Sequence, residues 1–161
     1  PNRLGLMSGR KNASRKDVNL KVDIDVSLED ILYGQDATND RRICALKIGK
    51  KSPVLAQLKT LQASNPPAYK KLLNVVRLVS RRREIFGKHV KQGKGRYKGI
   101  YEMRSGQTRL FYFIDSSGKA IVVCTNLYWK AKPSSKEQNQ AFKLCLELRT
   151  LYNNTMKTEA P

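Results

Sequence analysis

Two arginines, Arg104 and Arg109, stand on either side of the turn Ser105-Gly106-Gln107-Thr108, inside the segment IYEMRSGQTRLFYFID at 100–115. A strand that runs on into Phe111, Tyr112 and Phe113 does not need a fixed positive charge at its mouth. A hairpin that holds a phosphate does, because guanidinium pairs bidentately with phosphate oxygens. Further cations surround this segment. Lys98 precedes it, and Tyr128, Trp129, Lys130 and Lys132 follow the next apolar run. Rings interleaved with cations suit nucleic acid, since bases stack on the rings and phosphates pair with the charges. Lys88, Lys91, Lys94 and Arg96 in the connector, with Arg81 and Arg82 upstream, extend the same sign. We read these six and Trp129 as RNA-binding.

The same group can do chemistry. Cleavage of a phosphodiester by its neighbouring 2′-hydroxyl needs a proton acceptor, cations for the phosphorane charge and help for the leaving oxygen. Clustered lysines depress one another's pKa, so Lys98, Lys130 or Lys132 can take the proton. Arg104 and Arg109 supply charge stabilisation, and Tyr128 positions a base or aids the transfer. His89 is the single histidine, which excludes a two-histidine ribonuclease within one chain. Glu102 and Asp115 are the acids near this segment and give paired-carboxylate metal chemistry little support. With one histidine and no CxxC pair, neither a structural zinc nor any cofactor is expected. Each residue has a plainer reading: Arg104 paired with Glu102, Trp129 in the core, Arg81–Arg83 complementing a helix dipole. Their convergence at one sign favours the functional one.

These side chains must be positioned by elements that the patterning marks. Residues 1–17 read as a flexible basic arm. Alternation over 18–26 predicts a strand, and Ser27 caps a short helix over 28–34, so 18–41 form an N-terminal extension. RICALKI (42–48) predicts a strand. Ser52 and Pro53 open one helix, the SNPP at 64–67 opens a second that runs to about 82, and the two form an αα-hairpin. The stretch 86–99 reads as a connector. Strands follow at 99–104, 108–115 and 119–128, then a helix at 135–153 and a tail at 154–161. The expected fold is α+β: a small antiparallel sheet with helices on one face, leaving the arginine and aromatic face open, and a principal domain at 42–153.

Composition bounds the function. A net charge of +19 on 161 residues exceeds what solubility requires and calls for an anionic partner. No apolar run is long enough to span a bilayer and no signal pattern opens the chain, so no membrane association and a cytoplasmic location are expected. Pro1 reads as a start that is missing or processed. Cys44, Cys124 and Cys145 sit in apolar stretches and read as buried free thiols of a reducing compartment.

GKKSPVLAQLKTL, KKLLNVVRLVS and GIYEMRSGQTRLFYFIDSSGKAIVV together resemble the RelE/ParE toxin superfamily, especially its HigB-like, phage-related branch, over about 42–152. The resemblance implies a RelE-like sheet with a helical hairpin and a C-terminal helix. It implies a metal-independent endoribonuclease that cuts mRNA, often on the ribosome, and an antitoxin that covers the basic cleft. By position, Arg109 matches the family's phosphate-binding arginine, Arg104 the arginine before the turn, and Lys130 and Lys132 the basic residues after the last strand. The stretch Thr125-Asn126-Leu127-Tyr128 lacks the histidine cluster of some relatives. Two other functions stay open: a non-catalytic RNA- or ribosome-binding protein on the same scaffold, and a gyrase inhibitor acting through protein contacts.

Overall fold

The computed structural model describes residues 24–37, 40–118, 120–130 and 135–159. The expected basic arm and most of the expected strand at 18–26 lie outside these residues, as does Lys132. The elements run β1 (Val26–Asp30), a 3₁₀ turn (Gly34–Asp36), β2 (Arg42–Ile48), α1 (Pro53–Ser64), α2 (Pro66–Ser80), β3 (Val90–Gln92), a 3₁₀ turn (Gly95–Tyr97), β4 (Ile100–Ser105), β5 (Thr108–Ile114), β6 (Ile121–Trp129) and α3 (Ser135–Glu159).

Local chemistry sets the helical hairpin. The Ser52 hydroxyl accepts from Leu55 N at 3.3 Å, and Asn65 Oδ1 accepts from Ala68 N at 3.2 Å, so each helix begins on a side-chain cap. Prolines fill the first turns, where no donor is lost. Gly106 takes φ +56 between β4 and β5, a conformation glycine adopts without a Cβ penalty, and the register closes with Ser105 opposite Thr108.

The strands form one six-stranded sheet in the order β1-β2-β6-β5-β4-β3. It is mixed: β2 and β6 are parallel and the other neighbours antiparallel. Helices cover both faces, which corrects the one-sided antiparallel arrangement expected from sequence. Leu58, Leu72, Val76 and Val79 of the hairpin pack on Met103, Leu110, Tyr112 and Val122. Phe142, Cys145 and Tyr152 of α3 pack on Ile100, Phe111, Phe113 and Val123. Both alternating sets of β5 are apolar, so each side needs a cover. The three cysteines are buried free thiols, as expected.

A second correction concerns residues 27–34. They hold no α-helix; 26–30 are the edge strand β1. The helical spacing of Leu28, Ile31 and Leu32 loses to the edge of β2, where Val26 lies opposite Ile48 and Leu28 opposite Leu46. Two ion pairs link these strands, Arg42 to Asp30 at 2.6 Å and Lys47 to Glu29 at 3.4 Å. The three-residue edge strand β3, inside the expected connector, was invisible behind its lysines and glycines; short, charged edges of this kind resist pairing with other chains.

Candidate functional site

Antiparallel register puts directly opposed residues on the same face of a sheet. Arg104 lies opposite Arg109, and Arg109 lies opposite Tyr128. The hairpin therefore brings three of the predicted residues into one row across β4, β5 and β6. One row further in, Lys91 of β3 lies opposite Glu102, and Glu102 opposite Phe111. This is the face that α3 covers, and the helix begins just beside the row. Asn126 Nδ2 donates to Ala141 O at 3.2 Å, which ties the second turn of α3 to β6.

Behind the two arginines, one row further in, lies a carboxylate. Glu102 is fully buried, at 0% exposure. Gln138 Nε2 donates to both of its oxygens, at 3.1 and 2.9 Å. Arg104 Nε stands 3.5 Å and Arg109 Nε 3.7 Å from Glu102 Oε1. Arg109 is itself only 7% exposed. Its Nη1 donates to the carbonyls of Gly106 at 2.6 Å and Thr108 at 3.0 Å, while its Nε is buried without a hydrogen-bond partner. Burial, then the neighbouring Arg104 charge, lowers the Arg109 pKa against the opposing pull of Glu102. Tyr128 donates from its hydroxyl to Glu137 Oε2 at 2.9 Å. Its pKa is raised, by desolvation first and then by this hydrogen bond, so the phenol holds its proton. Two guanidiniums, one shared carboxylate and a phenol–carboxylate pair can together hold an anion and move a proton beside it.

The other predicted residues divide. Lys130 follows the row directly, and its backbone N donates to Gln107 O at the hairpin turn, at 2.7 Å. Lys88 lies in the turn before β3, next to His89, whose carbonyl accepts from Arg104 N at 2.7 Å. Lys91 is exposed beside Glu102. Lys98 is not brought in. It precedes β4, at the far end of that strand from Arg104, a separation of about 20 Å at ~3.3 Å per residue. Lys94 and Arg96 also lie at that far end, where the Arg96 guanidinium sits 5.0 Å from the Tyr97 ring centroid. Arg81 and Arg82 follow α2, whose last residue, Ser80, bonds to Arg41 O. That point adjoins the start of β2, which lies beside the start of β6 and not its end. Trp129 is 42% exposed, opposite Thr108 on the other face of the sheet.

Glu137 and Gln138 were missed from sequence. The signal was present in Ser135-Lys136-Glu137-Gln138, which reads as the first turn of a helix. Nothing in it says that this turn lands on Glu102 and Tyr128. Among the described residues no group of three or more His, Cys, Asp or Glu is placed to hold a metal ion. Nor is any described helix long and apolar enough to cross a membrane.

No protein-family model and no curated protein sequence matches the chain. Solved structures do resemble it in part. The chain is similar to a YoeB–YefM complex from Staphylococcus aureus, with 22% identity and a TM-score of 0.39 over 47% of this chain and 86% of that one. It is similar to a YoeB/ParE toxin from Agrobacterium tumefaciens, with 16% identity and a TM-score of 0.40 over 47% of this chain and 88% of that one. A heterotetrameric YoeB–YefM toxin–antitoxin complex from Staphylococcus aureus gives 21% identity and a TM-score of 0.39, over 49% and 87%.

Proposed function

We propose that this chain is a metal-independent endoribonuclease of the toxin–antitoxin kind, cutting mRNA by attack of a 2′-hydroxyl, on the ribosome, and held in check by an antitoxin. The observation that carries the reading is the row Arg104–Arg109–Tyr128, assembled across three strands beside one buried carboxylate. The sequence resemblance to RelE/ParE toxins and the charge of +19 support it.

In this reading Arg104 and Arg109 hold the scissile phosphate and stabilise the charge that develops on its oxygens. The 2′-oxygen bonds to phosphorus, its proton passes to the Glu137 carboxylate, and the bond to the 5′-oxygen breaks. Tyr128 gives its proton to that departing oxygen and recovers one from Glu137 through their hydrogen bond, so the enzyme ends as it began. The products are a 2′,3′-cyclic phosphate and a 5′-hydroxyl. Lys91 and Lys130 flank the row and bind neighbouring phosphates; Lys98 takes no part in the chemistry.

A second reading, RNA or ribosome binding without cleavage, is favoured by one observation: Arg109 is buried and spends Nη1 on backbone carbonyls. Incubation with RNA in EDTA, with and without ribosomes, followed by mapping of ends, separates the two. Cyclic phosphate ends support the enzyme. Intact RNA that is bound, with affinity falling steeply as salt rises, supports the binder. RNA neither bound nor cut removes both.

A further inference from the structure

On the opposite face of the sheet from the arginine row, the end of β6 and the helix α1 border an open cavity of about 330 Å³. Gln57, Thr60 and Ser64 of α1 line it, with Thr108, Leu127 and Trp129 from the strand ends. The wall is held firmly. Gln57 Nε2 donates to Leu127 O at 3.0 Å, and Leu127 N donates to Gln57 Oε1 at 2.8 Å, fixing α1 to β6. Two features of this cavity lack an explanation in the fold. Trp129 is 42% exposed, the one tryptophan of the chain left half in solvent. Thr108 is 1% exposed, and its Oγ1 is buried without a hydrogen-bond partner. Buried hydroxyls are nearly always bonded, so an orphan one points to a missing partner.

We infer that this cavity is a nucleobase pocket, in which one base of the RNA stacks on Trp129 and bonds to the Thr108 hydroxyl. The inference rests on the RNA-cleaving reading and deepens it by assigning the base that flanks the scissile phosphate. Thr108 and Arg109 are consecutive and point to opposite faces of β5. A single-stranded chain passing around the end of this strand therefore sets its phosphate against Arg109 on one face and an adjoining base against Thr108 on the other. A flat, polar-edged ring fits the lining: an indole and the Leu127 side for its face, and hydroxyl and amide groups for its edge. A partner protein's aliphatic side chain would leave Thr108 Oγ1 unpaired, so the chemistry favours a base.

The single tryptophan gives a direct readout. The full chain is titrated with a 2′-O-methyl oligoribonucleotide, which has no attacking hydroxyl, and with the same oligonucleotide made abasic at the flanking position. Binding is followed by anisotropy and Trp129 by its emission. The base-bearing oligonucleotide should change the emission saturably. The abasic one should bind about tenfold more weakly or worse, as loss of one stacked base does, and leave the emission unchanged. Thr108→Val, isosteric and without the hydroxyl, should keep the emission change and lose part of the discrimination among the four bases. Bound oligonucleotide with no emission change, or the same change with the abasic one, overturns the pocket even where wild-type protein cleaves RNA. Absence of any RNA binding overturns the pocket and the enzyme together.

Discussion

Replacing Arg109 by alanine should damage stability and cleavage at once, and the two losses can be told apart. Glu102 is fully buried and shares its charge among Arg109, Arg104 and Gln138. Removing one partner of a buried ion pair costs about 3–5 kcal/mol where the survivor is left alone. Here Arg104 and the two Gln138 bonds remain, so a cost of about 2 kcal/mol is the better figure. For a chain of this size about 1 kcal/mol shifts Tm by ~2–4 °C, which places the melt roughly 4–8 °C lower. Cleavage should fall by about 10²–10³, the loss expected for one electrostatic stabiliser of the transition state. The assay is single-turnover cleavage well below Tm beside a thermal melt. Adding Glu102→Gln to Arg109→Ala removes the stranded charge and should recover part of the Tm with none of the rate. Arg109→Lys should fall short of full rate, since an ammonium lacks the bidentate fork. An unchanged melt for Arg109→Ala would refute the buried-pair reasoning. Recovery of rate together with Tm in the double variant would show that Arg109 serves the fold alone.

Tyr128→Phe should lower single-turnover cleavage about 10²-fold, the usual weight of a general acid, and leave the melt nearly unmoved, because an exposed pair with Glu137 contributes little; equal rates would remove the phenol from proton transfer. Gly93→Ala should destabilise the protein by about 1–3 kcal/mol in urea titration, since a Cβ there would stand 2.6 Å from Tyr97 Cβ and 2.9 Å from Phe142 Cε1; a neutral result would mean that the stacked Tyr97–Phe142 pair yields easily. Burial pushes the Cys44 and Cys145 thiols up to about 12 from an ordinary 9.0. Their contribution is whole below about pH 9 and is lost as pH climbs towards 12, because the unfolded chain gives up its protons first. Urea titrations should show little change between pH 8 and pH 9 and a fall in stability between pH 9 and pH 11, of at most about 1.4 kcal/mol per pH unit for each thiol, and a Cys145→Ala variant should show a shallower slope.

What the sequence made legible was local. Ser52 and Asn65 lie where helices must begin, and the Gly106 turn fixes the register that pairs Arg104 with Arg109. The Arg104–Arg109 pair follows from that turn and from strand alternation, whereas Tyr128 joins the row only through the β5–β6 register, which shifts between Phe111 and Tyr112. What stayed hidden depends on distant partners. Residues 27–34 carry a helical pattern, yet the open edge of β2 recruits 26–30 as a strand. The aromatic face of β5 looks like an open platform until α3 is laid across it, and only then do Phe111 and Phe113 become core. Lys98 is near Arg104 in sequence and far from it in space, because an extended strand lies between them. Lys91 is thirteen positions from Arg104 but lies one row away, through a strand too short and too charged to be seen.

The charge balance of the row bears on why two arginines are needed where one carboxylate is buried. A structural ion pair would match Glu102 with a single guanidinium. Here Arg104 and Arg109 face the same Oε1 atom, at 3.5 and 3.7 Å, both beyond ordinary hydrogen-bond length. Gln138, a neutral donor, makes the close bonds to Glu102 instead. With Glu137 bonded to Tyr128 at the end of the row, two guanidiniums stand among two carboxylates, yet Arg109 is held where burial and Arg104 oppose its charge more than Glu102 supports it. An anion arriving beside the row would relieve that opposition, and a phosphorane, carrying more charge than the phosphate it forms from, would relieve it further. That difference is what transition-state stabilisation requires. Glu102 keeps the guanidiniums aligned without neutralising them, so its burial serves the fold and the proposed chemistry through the same contacts.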